Sequence, residues 1–202
     1  MGEHPIEKDV ERILRSHSSI GLLLSGGLDS AGLGYLLVHG RNLLGTNNSF
    51  EYIILPSTDG ALTHAMNVAD WLDSKAKVQA KRHVMGKPEL HHTQRVGSAL
   101  KEAMRQLTHI DLFLNAANKT PDEDVPGGPL RFNSINPKVY LPFFTYTKDE
   151  LVRLYIKHDL DALFKITHTC TETTNTRCRI CWQCKERAWA FNKCGYTDPG
   201  TL

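Results

Sequence analysis

Two kinds of hydrophobic spacing alternate along the chain. Short unbroken apolar runs, typical of strands buried on both faces, occupy residues 20–24, 51–56 and 110–115, with a weaker run near residue 82. Apolar residues at helical spacing occupy the intervening stretches 6–18, 30–38, 61–76 and 96–107. Strands that alternate with helices predict an α/β fold with a parallel sheet wound on both sides.

The pattern changes after residue 115. Residues 116–138 are polar and rich in Pro and Gly, which predicts a long functional loop, and 139–144 reads as a fifth strand or an extended segment. The sequence from Thr147 to Glu150 forms a capping box, so a helix is expected to begin there. We therefore expect residues 1–145 to form a five-stranded, Rossmann-like domain, and 146–202 a helical segment that contains the cysteines.

Composition and charge exclude several classes of protein. The 202 residues are 41% hydrophobic, the mean hydropathy is −0.33 and the net charge is +2. No apolar run approaches the roughly 20 residues that a membrane span needs, and the charged amino terminus does not resemble a signal peptide. The balanced charge disfavours nucleic acid as a partner. We expect a cytoplasmic enzyme with no membrane contact; a homodimer stays an open alternative.

The run Ser25-Gly26-Gly27-Leu28-Asp29-Ser30 follows directly after the first predicted strand. Ligands of such sheets bind beyond the carboxyl ends of strands, where the strand order reverses. Adjacent glycines allow a backbone to approach a ligand closely, and the free N–H groups of the next helix favour an anion. The chain has no GxxxxGK[ST] sequence, so this is not a P-loop. Asp29 suits either a helix cap or a partner for Mg²⁺ that bridges phosphate oxygens.

The five cysteines all lie after residue 169, and four of them have the spacing of metal ligands: Cys170, Cys178, Cys181 and Cys184. Four thiolates can close a tetrahedral, structural zinc site. An iron–sulfur cluster is the alternative, because C-x₂-C-x₂-C also begins ferredoxin motifs, although the usual continuation is missing. We interpret Cys194 as a bystander, His168 as a reserve ligand or a surface residue, and His64, His83, His91 and His92 as surface residues.

The SGGLDS run resembles the pyrophosphate loop of the PP-loop ATPase family. Together with the four cysteines and the stretch "LPFFTYTKDELVRLY", the chain resembles the 7-cyano-7-deazaguanine synthase family, which belongs to queuosine biosynthesis. This resemblance implies an ATP-dependent carbon–nitrogen ligase that converts 7-carboxy-7-deazaguanine and ammonia, through an adenylated carboxylate, into the nitrile or its amide. It also implies ATP, Mg²⁺ and Zn²⁺ as cofactors.

By the same resemblance the site residues follow. The four cysteines would bind zinc, Ser25, Asp29 and Ser30 are the candidate catalytic residues, and Ile54 would hold adenine through its backbone. The candidate ATP contacts are Leu24, Ser25, Gly26, Gly27, Leu28, Asp29, Ser30, Ala31, Gly32, Leu33 and Gly34. Asn115, Asn118 and Arg131 are candidates for substrate recognition, and each could equally be an ordinary loop or turn residue.

The middle of the chain departs from that family. Residues 114–133, "LNAANKTPDEDVPGGPLRFN", lack the family's Tyr-Pro-Asp-Cys-Arg run, and "STDGALTH" replaces its Asp-Tyr-Gly, a role that Asp59 and Gly60 would fill in part. These departures leave three alternatives open. One is a PP-loop enzyme that amidates another carboxylate or transfers sulfur to tRNA. Another is an ammonia-dependent NAD synthetase, and the third is an inactive module that binds nucleotide and zinc.

Overall fold

The computed structural model describes residues 4–55, 61–87, 89–90, 92–129, 136–173 and 176–200. Its helices are α1 (Pro5–Ser16), α2 (Leu28–Leu44), α3 (Ala61–Ala76), α4 (His92–Gln106), α5 (Lys148–Lys157), α6 (Asp161–Ile166) and α7 (Trp182–Lys193). Its strands are β1 (Ser19–Leu24), β2 (Ser49–Ile54), β3 (Lys81–Val84), β4 (Leu112–Leu114) and β5 (Val139–Tyr140). None of the described helices is long and apolar enough to span a membrane.

The strands form one parallel sheet in the order β3-β2-β1-β4-β5, which confirms the predicted fold class. β1 is central and buried, and it pairs with β2 on one side and β4 on the other. The chain moves outward from β1 to β3 and then returns to the other side of β1. The order therefore reverses next to β1, and the loop after Leu24 lies at that switch point.

Helices cover both faces of the sheet. On one face α4 packs on the sheet through Ala99, Leu100 and Ala103, together with Leu23 and Phe113. Apolar residues of the other six helices form the larger core on the opposite face. That core includes residues on both sides of position 145, such as Leu36 of α2 and Leu151 of α5. The boundary between 1–145 and 146–202 stays a prediction, and the two parts share one core.

The structure differs from the predicted elements at three places. The segment 139–144 is a strand only at its first two residues, and turns follow it. Pro142 has no N–H to donate to a neighbouring strand, so it does not support a longer ladder. Helix α2 continues to Leu44, beyond the predicted end at 38, and stops at Gly45, whose φ is +63°. Helix α6, with six residues, was not predicted because it is too short to show a period.

Candidate functional site

The SGGLDS loop connects β1 to α2 at the centre of the sheet. Helix α2 begins at Leu28, and Gly27 precedes it with extended backbone and no side-chain cap. The first N–H groups of an α-helix have no partner within the helix, and the helix dipole adds a partial positive charge at this end. The loop therefore offers backbone donors at the place where an α/β sheet binds ligands.

Glycine is required at position 26 by both conformation and space. Its φ is +78°, which side chains other than glycine rarely adopt. A Cβ built there would lie 2.5 Å from the backbone nitrogen of Ala65 in α3. The loop thus passes directly against the beginning of α3.

Two serine hydroxyls hold the loop in shape. Ser25 Oγ and Ser30 Oγ are 3.1 Å apart, and the Ser25 N–H donates to Ser30 Oγ at 3.3 Å. Ser30 Oγ donates in turn to the Gly27 carbonyl at 3.2 Å, and the Gly27 N–H donates to Ser25 Oγ at 3.4 Å. Ser30 is buried and Ser25 is partly exposed, so Ser25 is the hydroxyl more accessible to a ligand.

Asp29 belongs to a chain of buried charges. Its Oδ2 lies 3.1 Å from Nζ of Lys148, which lies 2.5 Å from Oε2 of Glu186. The side chains of Lys148 and Glu186 are 2% and 0% exposed, so these two charges are almost removed from water. The other oxygen of Asp29, Oδ1, is buried and has no hydrogen-bond partner among the described residues. Asp29 therefore has one unpaired acceptor, and it is not the helix cap that the sequence suggested as one option, because Gly27 is the N-cap of α2.

The three candidate substrate residues have different positions. Asn118 is fully buried, and its Nδ2 donates to Oε1 of Glu186 at 3.1 Å, so it belongs to the charge network and its role in substrate recognition stays a prediction. Asn115 forms a turn, because its Oδ1 accepts from the Ala117 N–H at 3.2 Å. Arg131 lies outside the described residues, and so do Asp59 and Gly60.

The candidate ATP contacts in helix α2 and the strands are mainly packed into the core. Leu24, Leu28, Ala31 and Leu33 are buried hydrophobic residues. Cβ atoms built at Gly32 and Gly34 would lie 1.9 Å from the ring of Tyr155 and 2.5 Å from Leu72. The carbonyl of Ile54 accepts from the Met85 N–H at 3.0 Å. A role in binding ATP stays a prediction for all of these residues, and at Gly32 and Gly34 helix packing already explains the glycine.

The four predicted metal ligands lie together. The Sγ atoms of Cys170, Cys178, Cys181 and Cys184 are all within 4.8 Å of one another. Two of the Sγ pairs, 170 with 181 and 178 with 184, are 4.0 Å apart. A tetrahedral zinc ion with bonds of about 2.3 Å would hold its sulfurs about 3.8 Å apart. The cysteines therefore have the spacing of a single-ion site, whereas a [4Fe–4S] cluster binds each thiolate to a different iron and so holds the sulfurs farther apart.

The pKa shifts of these thiols also indicate that a cation bound among them would be stabilised. Burial opposes ionisation of Cys170, but hydrogen bonds from Thr173 Oγ1 and neighbouring backbone N–H groups lower its pKa to about 6. Burial raises the pKa of Cys184, and so does the proximity of the Cys181 and Cys170 sulfurs. Four thiolates cannot share this small volume without a positive charge, and a bound divalent metal ion would supply that charge.

The remaining cysteine and the histidines have structural partners. Cys194 Sγ lies outside the cluster and donates to the Asp149 carbonyl at 3.4 Å. His168 is not a surface residue: it is buried, and its ring stacks on His64 with the centroids 4.4 Å apart. His83 is partly exposed, and its Nε2 lies 2.7 Å from Oε2 of Glu51 on β2. The interpretation as a surface residue was therefore wrong for His168, whereas His64 and His83 are partly exposed. His91 and the side chain of His92 lie outside the described residues.

A cavity of about 800 Å³ lies beside the cysteine cluster and away from the glycine loop. Its lining includes Val125, Arg179, Lys185 and Trp189. Nothing in the chain identifies an occupant for it, so the site is better defined by the loop and its buried charges than by this cavity.

Lys148 and Glu186 were missed when the sequence was interpreted. The signal for Lys148 was present, because it occupies the first position of helix α5 inside the predicted capping box, where Thr147 and Glu150 fix the helix start. Glu186 carried no signal, because an acidic residue in a short polar helix normally faces water.

Fold and site together define an α/β protein with a glycine loop after its first strand and a four-thiol cluster in a segment that contacts this loop. Residues 113–195 match the family described as Queuosine biosynthesis protein QueC. A stretch of 62 residues is 36% identical to a 7-cyano-7-deazaguanine synthase of Clostridium kluyveri. The predicted resemblance is thus confirmed for the part of the chain that contains β4, β5 and the cysteines.

These similarities have a limited extent. The aligned stretch makes up 31% of this chain and 26% of the Clostridium kluyveri protein. Among solved structures, the crystal structure of NAD+ synthetase from Burkholderia pseudomallei aligns with a TM-score of 0.45 at 18% identity. That alignment covers 75% of this chain and 64% of the synthetase chain. The fold assignment here rests on the parallel sheet and its strand order rather than on that alignment.

Proposed function

We propose that this chain is an ATP-dependent carbon–nitrogen ligase of the 7-cyano-7-deazaguanine synthase type. It would activate the carboxylate of 7-carboxy-7-deazaguanine by adenylation with release of pyrophosphate, and ammonia would then displace AMP to give the amide. A second ATP would adenylate the amide oxygen, and loss of AMP and a proton would give the nitrile. The observation that carries this proposal is that the glycine loop and the cysteine segment touch. The His168 N–H donates to the Gly26 carbonyl at 3.0 Å, so the family-matched part of the chain adjoins the predicted ATP loop.

The loop would bind the pyrophosphate part of ATP. The first free N–H groups of α2 would donate to phosphate oxygens, and Ser25, partly exposed at the end of β1, would add a hydroxyl donor. Such donors act most strongly where charge develops in the transition state, here on the leaving pyrophosphate. Ser30 is buried and bonded to the Gly27 carbonyl, so it would shape the loop rather than contact the nucleotide.

Asp29 and Lys148 would set the charge of the site. Asp29, Lys148 and Glu186 together carry a net charge of −1 when all three are ionised, which by itself would repel a pyrophosphate. The unpartnered Oδ1 of Asp29 is a carboxylate oxygen of the kind that Mg²⁺ prefers. A Mg²⁺ ion bound there would reverse the local charge and neutralise phosphate oxygens.

The cysteine cluster would hold a zinc ion with a structural role. All four cysteines are available as ligands, which leaves no open position for water on a tetrahedral ion. The ion would tie the segment around Cys170 to the beginning of α7, where Cys181 is the N-cap. Zinc in this role stabilises the fold and takes no part in the chemistry.

The experiment that tests the substrate is an incubation with ATP, Mg²⁺, ammonium and 7-carboxy-7-deazaguanine, followed by mass spectrometry of the deazapurine. The expected result is a mass loss that corresponds to conversion of the acid into the amide or the nitrile. Omission of ammonium should stop product formation. An unchanged deazapurine in the presence of ATP cleavage would show that the carboxylate substrate is a different one.

The variants Ser25→Ala and Asp29→Ala test the loop. Both should lose ATP consumption while keeping the wild-type circular dichroism spectrum. Cys194→Ser is a matched control, because Cys194 lies outside the cysteine cluster and away from the loop. Wild-type rates of substrate-dependent ATP cleavage in the Ser25 and Asp29 variants would refute the proposed function.

A further inference from the structure

We propose that His168 is a positioning residue that couples the metal cluster to the glycine loop, so that a metal ion in the cluster and ATP on the loop strengthen each other's binding. The nucleotide half of this inference rests on the proposed function. The coupling itself rests on a continuous set of contacts between Cys170 and Gly26.

The first contact joins His168 to the loop. Its backbone N–H donates to the carbonyl of Gly26 at 3.0 Å. Gly26 has a positive φ and lies tightly against α3, so a shift of this carbonyl would change the direction of the neighbouring amides. The carbonyl of His168 also lies 3.7 Å from the position of a Cβ on Gly27. The loop is therefore packed against the backbone of His168.

The second contact joins the His168 side chain to the cysteine segment. Its Nε2 lies 2.6 Å from the carbonyl of Thr173, and because a carbonyl only accepts, Nε2 carries the proton. Thr173 Oγ1 lies 3.3 Å from Sγ of Cys170. The imidazole thus connects the two ends of the segment 168–173, which contains Cys170.

The third contact fixes the imidazole from the other side. The rings of His168 and His64 are stacked, with an interplanar angle of 11°. His64 belongs to the first turn of α3, next to Ala65, whose backbone nitrogen faces Gly26. The two imidazoles therefore fill the space between the cysteine segment and the helix that supports the loop.

Buried Arg187 anchors the backbone on both sides of His168, because its Nη1 donates to Thr167 Oγ1 at 2.9 Å and to Thr169 Oγ1 at 3.1 Å. The path from the cluster to the loop therefore runs through the imidazole and its contact with Thr173. Removal of the metal ion would loosen Cys170 and Thr173 and release the imidazole, while the Arg187 anchor would keep the rest of the fold in place. The expected result is a local loosening that includes the contact between His168 and Gly26.

Coupling of this kind has a measurable thermodynamic consequence. If the metal ion raises the affinity for ATP by some factor, ATP must raise the affinity for the metal ion by the same factor. We expect a factor of about ten, at the lower end of typical couplings, because only one hydrogen bond and one ring contact transmit it. A metal site that merely supports the fold elsewhere would show no such reciprocity.

The first test uses hydrogen exchange of the full chain, with zinc bound and after removal of zinc by a chelator. The amides of residues 25–30 and of His168 should exchange faster without the metal, whereas the amides of β2 should not change. This test needs no nucleotide, so it decides the coupling even if the protein does not bind ATP. Unchanged exchange at residues 25–30 would overturn the inference.

The second test uses variants of the two stacked rings, with zinc content and ATP affinity measured on the same samples. His168→Ala should retain one zinc per chain, because the imidazole is not part of the cysteine cluster, and should bind ATP about tenfold more weakly. His64→Ala should weaken ATP binding similarly, and His64→Phe, which keeps a stacking ring, should recover most of it. His109→Ala is the matched control, because His109 is exposed and bonds to Glu51 instead.

The outcomes separate this inference from the proposed function. Wild-type ATP affinity in His168→Ala with full zinc content would overturn the coupling and leave the ligase proposal standing. Failure of the zinc-loaded wild type to bind ATP would refute the proposed function, and the exchange test would still decide whether the cluster controls the loop. Loss of zinc from His168→Ala would overturn the assignment of His168 as a positioning residue, because it would make the ring a support of the metal site itself.

Discussion

At the scale of single residues, buried charges organise the site more than the polar residues of the loops do. Lys148 is a cation with 2% exposure between the carboxylates of Asp29 and Glu186. Asn118 donates a hydrogen bond to the second oxygen of Glu186. Removing a charge of this kind from water costs several kcal/mol, which only well-placed partners offset. The network therefore joins α2, α5 and α7 around Asp29. Loss of one partner should lower the free energy of unfolding strongly.

Replacement of Lys148 tests this network. Lys148→Met should lower the free energy of unfolding by about 3–5 kcal/mol, because Glu186 would remain charged, buried and without a cation. The double variant Lys148→Met/Glu186→Gln should recover most of that loss, since position 186 then carries no charge and Asn118 can still donate to the amide oxygen. Urea unfolding measures both. A double variant as unstable as the single one would contradict the assignment.

A second buried cation holds the carboxyl-terminal end. Arg187 is fully buried, and its Nε and Nη2 donate to the two oxygens of Asp198 at 2.7 and 2.9 Å. Arg177 also pairs with Asp198. Burial would raise the pKa of Asp198, but the hydrogen bonds and charges of Arg187 and Arg177 lower it to about 2. The carboxylate is therefore ionised at neutral pH.

The lowered pKa of Asp198 makes a prediction about pH. An aspartate with a pKa below its unfolded value of about 3.9 stabilises the fold above that pH, and this contribution disappears as the pH falls towards 2. Asp198→Asn should therefore be about 3–5 kcal/mol less stable at pH 7, because Arg187 loses its counter-charge, and the gap should narrow between pH 4 and pH 2. Urea unfolding of both proteins between pH 4 and pH 2 measures this difference in stability. A difference that stays constant over that range would contradict the assigned pKa of Asp198.

At the scale of elements, the packing of α2 explains glycines that the sequence alone assigns to ligand binding. Gly32 lies where Tyr155 of α5 crosses α2, and the Tyr155 hydroxyl is buried without a hydrogen-bond partner among the described residues. Burial accordingly raises the pKa of Tyr155. Close contact between the two helices, rather than the nucleotide, is sufficient to require a small residue here.

Substitution of two helical glycines by alanine separates packing from helix propensity. Gly32→Ala should destabilise the protein by about 1–3 kcal/mol, because the new methyl group overlaps the Tyr155 ring. Gly97→Ala in α4, where nothing lies within 4 Å of the new Cβ, should stabilise it by about 0.5–1 kcal/mol. Thermal unfolding of both variants provides the comparison, and a neutral Gly32→Ala would show that the α2–α5 contact is looser than described.

Most elements could be predicted from hydrophobic spacing, because buried strands and amphipathic helices have different periods. The strand from Ser19 to Leu24 and the helix from Ala61 to Ala76 were predicted within a residue or two. Short elements could not be predicted in this way, because α6 and β5 contain too few residues to show a period. Their ends depend on tertiary contacts and, for β5, on Pro142. The cysteine cluster was predictable because metal-ligand spacing is local in sequence, and its convergence is confirmed.

At the scale of the whole molecule, the parts of the site come from distant segments that only the fold brings together. Asp29, Lys148 and Glu186 span most of the chain, and neither Lys148 nor Glu186 could be found from spacing because their charges meet through tertiary packing. The same holds for His64 and His168. Sequence patterns predict the loop and the metal ligands, whereas the interactions that connect them require the structure.

The cluster makes a prediction about metal content. Elemental analysis of the purified chain should find about one zinc and no iron per chain, since the thiol spacing fits a single tetrahedral ion. Cys178→Ser should lower the zinc content and loosen the segment before α7, whereas Cys194→Ser should change neither. One iron per chain would contradict the assignment of zinc, and several irons together with inorganic sulfide would contradict the single-ion site.

The most direct test of the central claim, that the loop after β1 holds the pyrophosphate of ATP, is to identify the bond in ATP that the protein cleaves. Phosphorus NMR of a reaction with ATP, Mg²⁺, ammonium and the deazapurine acid should show AMP and pyrophosphate in equal amounts, and neither should form with Ser25→Ala. Formation of ADP and inorganic phosphate by the wild type would contradict the account. So would formation of AMP and pyrophosphate by Ser25→Ala at the wild-type rate.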